Sequence, residues 1–246
     1  MPRYGWRPDL PDRRDFVFMA APRPGLIPEK MDLRAECPPI YDQGQLGSCT
    51  GNAIAAALQF DQLKQGEPSS NPSRLFIYYN ERAMEGTVES DAGAMIRDGI
   101  KSVAKLGCCP ESMWPYDISK FKDKPTASAY GVAATHRAIE YRRVSGLEGI
   151  QACLADGYPV VFGFTVHEAF ESPEVAKTGI VPFPKRGERA LGGHAVLAVG
   201  YDMPSHTLIV RNSWGLLWGQ KGYFILPEEY ITYKLASDFW TIRTIQ

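Results

Sequence analysis

Residues 42–53 run from a polar glycine loop straight into a helical pattern, and this junction constrains the chain more than any other stretch. Gly47 and Gly51 flank a lone thiol, Cys49, and a carboxamide, Gln43, lies six positions upstream. From Asn52 to Phe60 the residues are strong helix formers, four of them alanines. Gly66 is suited to end the helix, which is expected from about Cys49 to Gln65. Cys49 is therefore expected at a helix N-terminus, among backbone N–H groups without intrahelical acceptors and at the positive end of the dipole. A thiol in that field ionises near neutral pH, and the thiolate is the nucleophilic form.

A nucleophile needs a base, and the base needs a group to orient it. His194 stands in the stretch Gly192–Tyr201, a buried-strand pattern opened by two glycines. Eighteen residues later comes Asn212-Ser213-Trp214-Gly215. A strand, a turn and a second strand would bring Asn212 beside His194. Its amide oxygen would accept from one imidazole nitrogen and leave the other for Cys49, with the Trp214 indole shielding that bond from water. His136 and His206 lie in polar surroundings and read as surface residues, whereas His167, just after a strand pattern, is a secondary candidate base.

The formal net charge of -1 gives no electrostatic argument for nucleic acid or an anionic membrane as partner. No apolar run approaches the roughly 18 residues of a membrane span. The N-terminus lacks the apolar core of a signal peptide, so the chain as written is expected in the cytoplasm, with export by another route left open. Cys108-Cys109 has no CxxC or HxxxH companion, so neither a metal site nor a cofactor is expected.

Residues 1–30 are rich in Pro and Arg and read as an extended arm. Two roles stay open for it: a structural strap around the body, or a short pro-segment in or near the cleft. Tyr4, Trp6, Phe16 and Phe18 are its candidate anchors in either case. Within the body at 31–246, helical patterns dominate about residues 40–120. One opens at Asn71-Pro72-Ser73 with the proline in its first turn, and another carries Ile96, Ile100 and Val103 on one face. From about 126 to 240 strands take over, at 138–144, 159–166, 195–201, 207–212, 222–226 and onward from 239. A short helix there is headed by a capping box, Ser145 to Glu148. Helices first and strands afterwards indicate an α+β fold.

Four separated pieces in order carry a resemblance: Gln43 to Cys49, the turn around Gly93, the His194 strand, and the Asn212–Gly215 block. Together they resemble the papain-like cysteine peptidases, in wording more like the bacterial, archaeal or viral branches. The resemblance implies a helical half packed against an antiparallel, β-barrel-like half, with the active-site cleft between them. It implies a hydrolase acting on protein or peptide substrates through a Cys49–His194 thiolate–imidazolium pair and an acyl-enzyme, with endopeptidase as the default. Asn212 would complete the catalytic triad, and the Gln43 amide with the Cys49 N–H would form the oxyanion hole. Gly93, with Ala92 in place of a family glycine, would pair with substrate backbone. Met95, Gly163 and Ala195 would line an apolar pocket for a hydrophobic side chain two residues before the scissile bond, and Gly193 and Trp214 would complete the substrate-binding set. The family's active-site disulfide has no counterpart, since those positions hold Leu46 and Ser90. Reduced cysteines are favoured, with pairing of Cys37 to Cys108 or Cys109 as the alternative.

The same Cys/His/Asn chemistry also serves acyltransferases and deamidases, and a catalytically silent binding module of this fold is a third reading. Gly47 to Gly51 matches a cysteine version of the α/β-hydrolase elbow too. That motif needs an apolar strand before it, and Tyr41–Leu46 is a polar loop.

Overall fold

The computed structural model describes residues 4–18, 27–67 and 70–245. The arm's residues 19–26 therefore lie outside the described residues. Helix α1, Cys49–Lys64, is buried on every side from Cys49 to Gln62 and ends at Gly66, whose φ of +72° suits a residue without a side chain. Gly51 lets the next helix approach, because a Cβ there would stand 2.8 Å from the Arg74 carbonyl oxygen.

Helix α2, Arg74–Glu85, is capped by Ser73, whose Oγ accepts the Phe76 N–H at 3.1 Å and donates to the Trp114 carbonyl at 2.6 Å. Pro72 lies outside the first turn, contrary to the sequence expectation, because the serine after it takes the cap. Helix α3, Ile96–Leu106, buries the expected face of Ile96, Ile100 and Val103.

The second half is built on a seven-stranded antiparallel sheet. Its strands are β1 (Lys30–Asp32), β2 (Ala138–Arg143), β3 (Val160–His167), β4 (Ala190–Asp202), β5 (Thr207–Arg211), β6 (Tyr223–Pro227) and β7 (Ala236–Ile245). The order is β2-β7-β3-β4-β5-β6, with β1 on β4. The sheet is the antiparallel half expected, and it is open, without closure into a barrel. A barrel would need β2 to pair with β6. Instead Val17 of the arm bridges to Arg143 on β2, and Ile180 bridges to Ile225 on β6, so each end strand has a short neighbour of its own.

Residues 30–32 pair with β4 in the sheet, with Met31 opposite Tyr201. The Ser145–Glu148 capping box is not made. The helix it was to head, α5 (Gly146–Ala155), starts with Gly146 at a φ of +66°, and the Ser145 hydroxyl makes no cap bond. Helix α1 packs against α2 and α3 on one side and against β4 and β7 on the other, so it forms the seam between the halves. Among the described residues no helix is long and apolar enough to cross a membrane.

Replacing Ser73 with alanine removes the α2 cap and the bond to Trp114. The expected loss is about 1–2 kcal/mol of unfolding free energy, read by urea denaturation, with the Cys49 region unchanged.

Candidate active site

Cys49 opens α1 and is fully buried. Backbone N–H groups of Ala195, Gly5 and Thr50 hydrogen-bond its sulfur and favour the thiolate, yet burial outweighs them and pushes the thiol up to about 12. The thiolate expected near neutral pH is therefore not the form held here. The helix N-terminus is where the sequence placed it, but exclusion of water opposes the charge.

His194 stands on β4, opposite Phe164 on β3. Its Nε2 lies 2.8 Å from Asn212 Oδ1. The amide orientation is fixed from the other side, because the Ser213 N–H donates to the same oxygen at 2.8 Å. A carboxamide oxygen only accepts, so the imidazole proton sits on Nε2 and Nδ1 carries the lone pair. That Nδ1 is buried and has no hydrogen-bond partner among the described residues. The Trp214 ring covers the pair, its centroid 4.9 Å from that of His194 at an interplanar angle of 32°. Burial lowers the imidazole to about 4, the Asn212 bond opposing only in part, so it is neutral at physiological pH. His167, the secondary candidate, pairs with Ala190 at the far end of β3.

Gln43 is buried beside this pair. Its Nε2 donates to the Leu46 carbonyl at 2.9 Å and its Oε1 accepts from Ser213 Oγ at 2.8 Å. The Gln43 backbone N–H donates to the Ser213 carbonyl at 2.9 Å, and Asp42 bridges to Trp214. The loop before Cys49 is thus pinned to the segment that carries Asn212.

The N-terminal arm occupies the groove between these walls. Ala94 N–H donates to the Gly5 carbonyl at 2.7 Å, Arg7 N–H to the Ala94 carbonyl at 3.0 Å, and Trp6 N–H to the Gly193 carbonyl at 2.9 Å. The backbone pairing falls on Ala94, two residues beyond Ala92. Gly93 is needed beside it, with a φ of +67° and no room for a Cβ, which would sit 2.1 Å from the Gly5 oxygen. Met95 precedes α3, and its N–H donates to Glu85 Oε1 at 2.7 Å.

The Trp6 indole lies across Gly163 and Gly193. A Cβ on Gly163 would come within 2.0 Å of the ring, and one on Gly193 within 2.6 Å. The indole Nε1, beside Gly163, donates to Asp238 Oδ2 at 3.2 Å. Tyr4 packs on Gly192, and its hydroxyl donates to Glu171. Of the other arm aromatics, Phe16 is exposed and Phe18 packs beside the Arg243 guanidinium, 4.4 Å from its ring centre.

Asp238, Trp240 and the arm's own Gly5 were not singled out in the sequence. Asp238 and Trp240 sit in what reads as an ordinary strand, and Gly5 reads as part of an extended arm. All five cysteines are free thiols, and no cluster of three or more His, Cys, Asp or Glu suited to a metal ion exists among the described residues.

The family model described as "Papain family cysteine protease" matches residues 27–239. An uncharacterised peptidase C1-like protein of Acanthamoeba polyphaga mimivirus is 43% identical over 270 residues, covering 98% of this chain and 87% of the viral one. Cysteine proteinase 3 of Entamoeba histolytica is 26% identical over 207 residues, covering 82% of this chain and 63% of that protein. Among solved structures, xylellain, a cysteine protease from Xylella fastidiosa, superposes with a TM-score of 0.90 at 44% identity, covering 99% of this chain and 96% of that one. The fold, the match over most of the chain and these relatives together make the chain a cysteine peptidase of the papain family.

Proposed function

We propose that this peptidase is a thiol endopeptidase with Cys49 as nucleophile, His194 as base and acid, Asn212 as orienter and Gln43 in the oxyanion hole, and that its arm holds it in a latent form. The observation that carries the reading is the 2.8 Å contact of His194 Nε2 with Asn212 Oδ1, which leaves the buried Nδ1 lone pair without a partner. In the open site Cys49 gives its proton to Nδ1, and the thiolate attacks the substrate carbonyl carbon. The Cys49 N–H, in a first helical turn without an intrahelical acceptor, and the Gln43 amide hold the oxyanion. Imidazolium Nδ1–H then protonates the leaving amine as the C–N bond breaks. Water, deprotonated by the neutral imidazole, attacks the thioester and frees the acid.

The path of the arm supports the endopeptidase reading. Residues from Tyr4 to Asp9 cross the groove as continuous chain, with Gly5 over the sulfur, so the groove has room for the interior of a peptide. Latency follows from the same contacts. The arm sets a hydrogen-bond donor, the Gly5 N–H, against the sulfur, and it excludes the water that a thiolate–imidazolium pair needs. Proteins and peptides are the partners in this reading. Five free thiols suit a reducing compartment such as the cytoplasm.

Deleting residues 1–18 is expected to raise peptide hydrolysis by roughly tenfold or more, as expected when the competent state is a minor population. Iodoacetamide labelling of Cys49 at pH 7 should accelerate in parallel. Unchanged rates of both would remove the arm from the cleft in solution.

Gln43→Ala should lower kcat by roughly 100-fold or more with the melting temperature held within a few degrees. A loss under about threefold takes Gln43 out of the oxyanion hole.

A further inference from the structure

A carboxyl stands behind Cys49 and has no step in the hydrolysis proposed for that thiol. Thr50 follows Cys49 in the first turn of α1, and its N–H hydrogen-bonds the Cys49 sulfur. The Thr50 hydroxyl donates to Oε1 of Glu81 on α2. One residue thus links the sulfur to the carboxyl. Glu81 is fully buried, and its Oε2 has no hydrogen-bond partner among the described residues. Helix α3 closes the other side, where a Cβ on Gly99 would stand 2.6 Å from that oxygen. The titratable and charged groups around Glu81 are Cys49 on α1, Tyr78 and Arg82 on its own helix, Asp98 on α3 and Arg7 of the arm.

We infer that Glu81 is a positioning residue for hydrolysis: as a neutral acid tied to Thr50 it leaves the N-terminus of α1 to the Cys49 thiolate, and its ionisation sets the alkaline limit of the activity. This rests on the reading of Cys49 as nucleophile and goes beyond it. The physical reason is that one helix terminus faces two acids. A thiolate and a carboxylate joined through Thr50 compete for the same end of the α1 dipole, and each charge raises the cost of the other. Burial pushes the Glu81 carboxyl up to about 8, with the Thr50 bond and Arg82 opposing in part. Below that pH the carboxyl is neutral, and an oxygen without a partner costs far less to bury in that form. Above it a second negative charge arrives behind the sulfur, with no water to screen it. His194 is shifted by burial and by Asn212 alone, so the cost falls on the thiolate half of the pair.

The test uses the full chain with Trp6→Gly, which loosens the arm, and the same chain with Glu81→Gln or Thr50→Val added. Glutamine keeps an acceptor for the Thr50 hydroxyl and removes the ionisation. Valine keeps the shape and the N–H of Thr50 and removes the bond that favours the carboxylate. Values of kcat/KM on one peptide are followed across the alkaline range. Thermal melts and Cys49 alkylation rates show that each protein is folded with an accessible thiol. The infrared difference between the parent and Glu81→Gln at pH 7 reads the carboxylic-acid C=O stretch of Glu81 directly.

The Trp6→Gly chain should lose activity above about pH 8, and Glu81→Gln should move the midpoint of that fall up by about one pH unit or more. Thr50→Val should move it in the same direction by a smaller amount, and it decides alone if the glutamine variant does not fold. The acid band should be present at pH 7. A midpoint that stays in place in every folded variant, even where kcat/KM drops evenly at all pH values, overturns the assignment alone and leaves Glu81 as a packing group among three helices. So does a carboxylate band in place of the acid band. A parent chain that cleaves no peptide while Cys49 is still alkylated overturns the peptidase reading and the assignment with it.

Discussion

Burial of α1 on every side from Cys49 to Gln62 is the constraint on which the rest of the structure depends. From Cys49 to Gln62 no residue of this helix reaches solvent appreciably, so its position is fixed by packing from every direction. Gly51 admits the start of α2, and Gly99 on α3 makes room for Ile54, whose Cδ1 would lie 2.3 Å from a Cβ there. On the opposite side the helix rests on β4 and β7. The sulfur at its N-terminus therefore has one place to be, and the Ala195 N–H from β4 meets it there. The second wall is tied to the first by short links. Gln43 bonds Ser213, Asp42 bridges Trp214, and Asn212 orients His194. A thiol and an imidazole more than 140 positions apart in the chain are thus held by two rigid elements and one pinned loop.

The arm uses both halves as its anchor. Asp9 accepts from the Arg97 N–H of α3 at 3.0 Å and from Trp240 Nε1 of β7 at 3.0 Å. Asp15 pairs with Arg97 at 2.7 Å and with Arg143 of β2 at 3.1 Å. The Asp15–Arg97 pair is almost fully buried, with side chains 3% and 6% exposed. Such a pair adds little net stability by itself, because desolvation offsets attraction. It does penalise any shift of register, since a displaced arm would strand a buried guanidinium. The anchoring charges set where the arm lies, and Tyr4 and Trp6 fill the space.

Cys49, His194 and Asn212 were legible because each carries a local signal: a glycine loop opening a helix, two glycines opening a strand, a polar block after the next strand. Strand positions were legible for the same reason, since alternation and flanking turns are written in neighbouring residues. Closure of the sheet was not, because it depends on what lies beside β2 and β6, and those neighbours, Val17 and Ile180, come from distant loops. Gly163, Gly192 and Gly193 read as strand glycines. Their tight contacts are with Tyr4 and Trp6, about 160 to 190 positions away. Asp238 was hidden by a similar effect: its strand looks ordinary, and only the positive φ and the arm's donors reveal a buried charge. The Ser145 box failed on a residue that the motif ignores, the glycine directly after the serine.

Acid alone is a poor trigger for opening this cleft, because two groups covered by the same arm titrate in opposite senses. Burial holds His194 at about 4 against an ordinary 6.5, so between those values an open form whose thiol stays protonated takes up a proton that the closed form refuses, and falling pH favours opening. Asp9 is pushed up to about 6 from an ordinary 3.8, chiefly by burial and secondarily by the neighbouring Asp238 carboxylate. Across nearly the same window the closed form keeps a proton that a released arm would lose, and falling pH favours closure. The two shifts oppose one another. Alkali has no such opponent at the thiol. With Cys49 at about 12 in the closed form, the open form loses its proton first, and closure weakens as pH rises above the ordinary thiol range. A cleft poised this way is opened more readily by something that competes for the groove than by acidification, and the group best placed to compete is a peptide whose side chain takes over the Trp6 slot.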